Sequence, residues 1–217
     1  IKELDLDDLL GRETVAADPL LLGAAVKGRS VLVTGGGGSI GSELCRQIVR
    51  QFPTKLIILD HSEYALYQIN QELIAWQNKQ VEKTCELHAV LASVKDEEFI
   101  GKIFDKFQPE TVFHAAAYKH VPLVEDNVEH AVMNNILGTK IVAEKSLLSG
   151  VKNFILISTD KAVRPTNVMG ATKRWAELIV QDIAARAKSE GRDKKFSVVR
   201  FGNVIGSRQT HGVGFDF

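Results

Sequence analysis

Three consecutive residues, Thr159-Asp160-Lys161, set a hydroxyl, a carboxylate and an amine side by side after an apolar run. Such a set can donate, accept and relay protons. It can also be a capped turn carrying a solvated ion pair. Met169 and Lys173 follow, four positions apart, so one helical turn would place them on one face. The lysine offers a charge and donors; the thioether cannot accept a proton. A third stretch, SVLVTGGGGSIG, runs from Ser30 to Gly41. Its spacing, Thr34-Gly35-x-x-Gly38-x-x-Gly41, describes a strand, a tight phosphate-cradling turn and a helix start. Gly35 allows the turn, Gly38 lets backbone amides approach a pyrophosphate, and Gly41 lets the helix pack close to the strand. A helix opening at Ser39 and Ile40 presents N–H groups and a positive dipole end to the phosphates. Asp60 ends the next apolar run, where an acid accepts hydrogen bonds from an adenosine ribose. No lysine or arginine follows in His61-Ser62-Glu63 to hold a 2′-phosphate, so the expected cofactor is NAD rather than NADP.

Positioning these groups requires a regular frame, and the hydrophobic pattern supplies one. Short apolar runs at 30–34 and 55–60 read as buried strands, and the runs at 86–91, 111–114, 152–158 and 196–201 as further strands. Amphipathic stretches beginning near Ser39, and at 62–77, 96–107, 129–149 and 170–189, read as helices, with Ser62 as an N-cap. Alternating strands and helices imply the α/β class, a Rossmann-type doubly wound parallel sheet in the order 3-2-1-4-5-6 with helices on both faces. In that fold ligands bind at the carboxyl ends of the strands. Ser93 and Val94 would then lie near the adenine, and Ala115, Ala116 and Ala117 along the cofactor.

The 217 residues are 45 % apolar and 25 % charged, enough for one domain with a substantial core. Lysines and arginines number 27, aspartates and glutamates 27, so net charge gives no case for nucleic acid or an anionic membrane surface. Two cysteines, Cys45 and Cys85, are too few for a disulfide framework and read as reduced intracellular thiols, which points to a cytoplasmic location. The histidines lack metal-ligand spacing, so no metal is expected. No apolar run is long enough to span a bilayer as a helix.

With these residues in view, the chain resembles the extended short-chain dehydrogenase/reductase superfamily. Within it, it resembles the nucleotide-sugar 4,6-dehydratases of the CapD-like polysaccharide-biosynthesis family. The blocks that carry the likeness are TGGGGSIGSE from Thr34, AAAYKHVPLVE from Ala115, NNILGT from Asn134, STDKAVRPTNVMGATKR from Ser158 and RFGNVIGS from Arg200. The superfamily normally has Tyr-x-x-x-Lys where this chain has Met169 and Lys173. That departure counts against an ordinary dehydrogenase or 4-epimerase. It agrees with a branch of large, membrane-associated bacterial members that act on UDP-N-acetylglucosamine.

The resemblance implies a reaction. Hydride leaves C4 of the sugar for NAD⁺, the 4-ketone acidifies C5, a base takes the C5 proton, and the C6 hydroxyl departs as water. Hydride then returns to C6. Carried onto this chain, Asp160 is the acid at the C6 hydroxyl and Lys161 the base at C5. Thr159, with Asp160, polarises the C4 hydroxyl, and Lys173 holds the nicotinamide ribose. Met169 marks the site without acting in it. Lys119, His120 and Asn203 correspond to substrate-contacting positions. The base at C5 must be neutral, yet the neighbouring carboxylate favours its charged form, so the pair is expected to titrate jointly.

Three segments are expected: an extension at 1–28, an NAD-binding catalytic domain at 29–207, and a tail at 208–217 that departs from the family and reads as a truncation. Most of a C-terminal substrate lobe would then be missing. The resemblance also implies a UDP-sugar substrate, a homo-oligomer, and a parent protein anchored upstream of Ile1 at the cytoplasmic face of the inner membrane. Rival readings are an epimerase or a C5-inverting dehydratase on the same fold, and a non-catalytic dinucleotide-binding fragment.

Overall fold

The computed structural model describes residues 23–80 and 85–202. Six strands form one parallel sheet: β1 (Ser30–Thr34), β2 (Lys55–Asp60), β3 (Glu86–Leu91), β4 (Thr111–His114), β5 (Asn153–Thr159) and β6 (Lys195–Phe201). Their order is β3-β2-β1-β4-β5-β6, the doubly wound arrangement read from the sequence. Val31 and Val33 of β1 are completely buried, as are Leu56, Ile57 and Ile58 of β2. Burial on both faces explains why these strands read as unbroken apolar runs rather than as alternating ones.

Alternation survives in what each side chain meets. Val31 and Val33, with Leu56 and Ile58, face one core, shared with α1 (Ser39–Val49) and α2 (Glu63–Gln77). Leu32, Ile57 and Leu59 face the other, shared with α3 (Glu97–Phe107), α6 (Gly138–Leu148) and α7 (Val168–Ser189). Cores on both faces hold the sheet against its helices, so the strand tips keep fixed positions. Val26, ahead of β1, is buried in the first of these cores. The Ser62 hydroxyl accepts from the Ala65 amide at the start of α2, as an N-cap should. Asp96 does the same for α3 through the Phe99 amide.

The register brings the carboxyl ends of the strands together. Thr34 pairs with Leu59 on one side and with His114 on the other. His114 in turn pairs with Leu156, and Thr159 with Phe201. The sheet's order reverses between β1 and β4, and the crevice opens there.

One expected helix needs correction. The stretch 129–149 is not one regular helix. A short α5 (Val128–Ala131) passes into a π-helical turn, Val132–Leu137, before α6 begins at Gly138. The extra residue turns Asn134 and Asn135 inward, where both are buried. A further short helix, α4 (Val121–Asp126), opens with Pro122 in its first turn. After β5, Asp160–Ala162 forms a single 3₁₀ turn whose first residue is Asp160.

Candidate active site

The glycine turn has the geometry its spacing demands. Gly35 has φ +67°, and a β-carbon there would come within 2.6 Å of the Ala116 amide nitrogen. A β-carbon on Gly41 would stand 2.0 Å from the Gly35 carbonyl oxygen. Both positions therefore exclude every residue with a side chain. Gly38 is the N-cap of α1 in extended backbone, and no side chain caps this helix end. The first amides of α1 are thus directed at whatever occupies the crevice, which suits an anion.

Asp60 is almost fully buried at the tip of β2. Its Oδ2 accepts from the Gly37 amide and its Oδ1 from the Ser62 amide, each at 2.9 Å. The carboxylate thereby ties the glycine turn to the start of α2. Each oxygen keeps a second lone pair for a ribose hydroxyl. Asp60 lines a pocket of about 220 Å³ with Gly35, Gly38, Ser93, Val94 and the three alanines Ala115, Ala116 and Ala117. Tyr118 also lines it, and its ring meets His61 edge-on with centroids 6.0 Å apart.

A second pocket, about 300 Å³, adjoins the first and shares Gly35, Gly38, Ala115 and Ala117 with it. Ser39, Ile40 and Gly41 form one wall. Thr159, Lys161, Met169 and Lys173 line the same pocket, as does Lys119. Cofactor-type and chemistry-type residues thus face one groove. Asp160 does not line it directly. Its Oδ1 accepts from the Thr159 hydroxyl at 3.0 Å, which places the carboxylate one hydrogen bond away. In this arrangement the Thr159 proton is directed at Asp160. His120 is exposed at the N-cap of α4 and lines neither pocket. Asn203 lies outside the described residues.

Lys173 is buried, and its ammonium donates to the Ile157 carbonyl oxygen at 2.6 Å. Burial pushes its pKa down to about 8, against the opposing pull of the Glu177 carboxylate. Met169 packs with Val124 and Ala131, against Tyr118, Val121 and Val168. The residue in the tyrosine position is therefore an apolar peg joining α7 to α4 and α5. Glu125 of α4 reinforces the joint by accepting from the Val168 amide at 2.7 Å, which satisfies a donor at the start of α7.

Several residues at the site escaped the sequence reading. His114 is fully buried between Thr34 and Thr139. The Thr139 hydroxyl donates to the Asn135 carbonyl oxygen, so it accepts from His114 Nε2–H at 3.0 Å. Nδ1 then accepts from the Thr34 hydroxyl at 2.7 Å. Burial, with the charge of Lys173 adding to it, pushes the His114 pKa down to about 3, so the ring is neutral. Asn135 clasps the chain after β4: its amide oxygen accepts from the Tyr118 amide and its nitrogen donates to the Tyr118 carbonyl and the Thr172 hydroxyl. The available signal was a polar residue in each otherwise apolar element end. Among the described residues, no group of His, Cys, Asp and Glu could hold a metal ion.

A phosphate-cradling turn that rejects any β-carbon, an acid at the tip of β2 and an apolar-walled crevice at the β1–β4 reversal fit a dinucleotide. The profile of a family described as "Polysaccharide biosynthesis protein" matches residues 31–210. The chain belongs to that family. Members similar to it include the probable polysaccharide biosynthesis protein EpsC of Bacillus subtilis, 48 % identical, and the capsular polysaccharide biosynthesis protein CapD of Staphylococcus aureus, 46 % identical. Each match covers 96 % of this chain and 33 % of the relative. An inverting UDP-N-acetylglucosamine 4,6-dehydratase of Campylobacter jejuni is 33 % identical over 83 % of this chain and 51 % of its own length. The chain thus spans between a third and a half of these relatives. The UDP-glucose 4-epimerase of Thermus thermophilus, solved as a complex with NAD, shares the fold at a TM-score of 0.65 and 24 % identity, covering 82 % of this chain and 56 % of that one. That likeness is one of fold, the same doubly wound parallel sheet.

Proposed function

We propose that this chain carries the NAD-binding and catalytic half of a nucleotide-sugar 4,6-dehydratase acting on UDP-N-acetylglucosamine in surface-polysaccharide synthesis. One observation carries the reading. A single groove joins a dinucleotide cradle ending in Asp60 to a wall of Thr159, Lys161 and Lys173, with an apolar methionine where a dehydrogenase or epimerase needs a phenol. The C. jejuni relative's name supports it, as do the polysaccharide-biosynthesis names of the nearer relatives.

Asp60 and the amides at the start of α1 would hold the adenosine ribose and pyrophosphate of NAD. NAD would supply the acceptor and later the donor of the sugar's hydride. The residues of this chain handle the protons. Thr159 and Asp160 act as a hydrogen-bonded unit at the C4 hydroxyl and the C6 hydroxyl. Lys161 takes the C5 proton once C4 is a ketone. Lys173, anchored on Ile157, holds the nicotinamide ribose beside them.

No helix among the described residues is long and apolar enough to cross a membrane. We place this half on the cytoplasmic side, where nucleotide sugars are made. Incubating the protein with UDP-N-acetylglucosamine and weighing the product tests the reading. Loss of one water without net consumption of reduced cofactor is expected. A product of unchanged mass, epimerised at C4, would replace the dehydratase by an epimerase.

A further inference from the structure

Glu177 is an ionisable residue that the proposed reaction does not use, yet it is completely buried beside the groove. It follows Lys173 by four residues on α7, so the two share a helix face. Its carboxylate is saturated with donors. Ser158, the residue before Thr159, donates its hydroxyl to Oε1 at 2.7 Å. Arg200 of β6 donates Nε to Oε1 at 2.8 Å and Nη2 to Oε2 at 2.7 Å, a two-point grip. Arg174 adds a bond to Oε2 at 3.0 Å.

We infer that Glu177 is a positioning residue that keeps Lys173 cationic and couples that charge to Arg200 on the sheet's last strand. The geometry supplies both halves. The carboxylate pins the tip of β5, which carries Thr159-Asp160-Lys161, to β6 through Ser158 and Arg200. It is also the carboxylate one turn from Lys173 on the same helix. Buried ammonium groups shed their protons unless a carboxylate opposes the loss.

The other groups facing Lys173 do not supply that anion. His114 on β4 is neutral, and Lys119 and Lys161, which line the same pocket, bring basic side chains rather than a carboxylate. Asp160 is exposed and accepts from Thr159. Arg174 and Arg200 are cations, and both spend hydrogen bonds on Glu177. Arg200 therefore works against Lys173 indirectly, by neutralising the carboxylate that stabilises it. The inference rests on the dehydratase reading only for what the cation is used for.

Opposite shifts in one titration test it. The chain is labelled with lysine carrying ¹³C at Cε, and the Lys173 signal is assigned by its loss in Lys173→Arg. Its midpoint is then followed with pH, with no cofactor or sugar present. The parent midpoint is expected near 8. Glu177→Gln, which keeps the shape and several hydrogen bonds, should lower it by about one unit. Arg200→Gln should raise it. Coincident midpoints, or shifts of the same sign, would overturn the inference. Should Glu177→Gln fail to fold, Arg200→Gln decides alone: an upward shift supports the coupling and an unmoved midpoint refutes it. None of these outcomes depends on turnover, so a chain with the predicted shifts and no dehydratase activity would indict the functional reading instead.

Discussion

At the residue scale, the proposal separates proton handling from cofactor holding. Lys161→Met should leave NAD affinity within a few-fold while turnover falls by about 10²–10⁴, the usual contribution of a positioned acid or base. Isothermal titration with NAD and a product assay measure the two. Equal losses of affinity and turnover would return Lys161 to a structural role. His114 gives a pH prediction. Its folded pKa, about 3, lies below the unfolded value of 6.5, so between them the unfolded chain binds the proton that the folded chain refuses. Stability must then fall as pH drops from about 6.5 towards 3, at about 1.4 kcal/mol for each unit of pKa displacement. His114→Asn should flatten that part of a denaturation-versus-pH curve, and an unchanged slope would show that other groups dominate. Strand-end position pointed to Asp60 and to Thr159 and Lys161, and the family resemblance to Lys173; all four line the paired pockets. Neither could disclose His114 or Glu177, because their partners Thr34 and Arg200 are 80 and 23 residues away in sequence.

At the element scale, the turn before α1 and the π turn before α6 are the two devices that shape the groove. A methyl group at Gly41 would meet the Gly35 carbonyl, whereas Gly150 has nothing within 4 Å of a β-carbon. Gly41→Ala should weaken NAD binding at least about tenfold, the effect of losing about 1.4 kcal/mol, and Gly150→Ala should not. In the π turn, Asn135→Leu strands the amide and carbonyl of Tyr118. That should cost about 1–3 kcal/mol in urea denaturation and speed hydrogen exchange at the Tyr118 amide. The central strands β1 and β2 were legible because burial on both faces forces continuous apolar runs. The break at Val132–Leu137 was not, because a π turn keeps the composition of a helix and changes only its phase. Helix α4 is too short for a periodic pattern to emerge.

At the scale of the whole molecule, two cores clamp a parallel sheet, and the order reversal between β1 and β4 opens one groove across its carboxyl edge. Fold and groove are built within the described residues 23–80 and 85–202. The chain spans a third to a half of the curated relatives it matches, so substrate affinity is a property to measure on the longest available form. The central claim is that one hydride leaves the sugar and comes back to it at a different carbon while protons pass through the Asp160–Lys161 pair. UDP-N-acetylglucosamine carrying deuterium at C4 tests this directly, with the product read by NMR. The account predicts deuterium at C6 of a 4-keto-6-deoxy sugar, transferred within one molecule. Deuterium retained at C4, or lost to solvent, would contradict it.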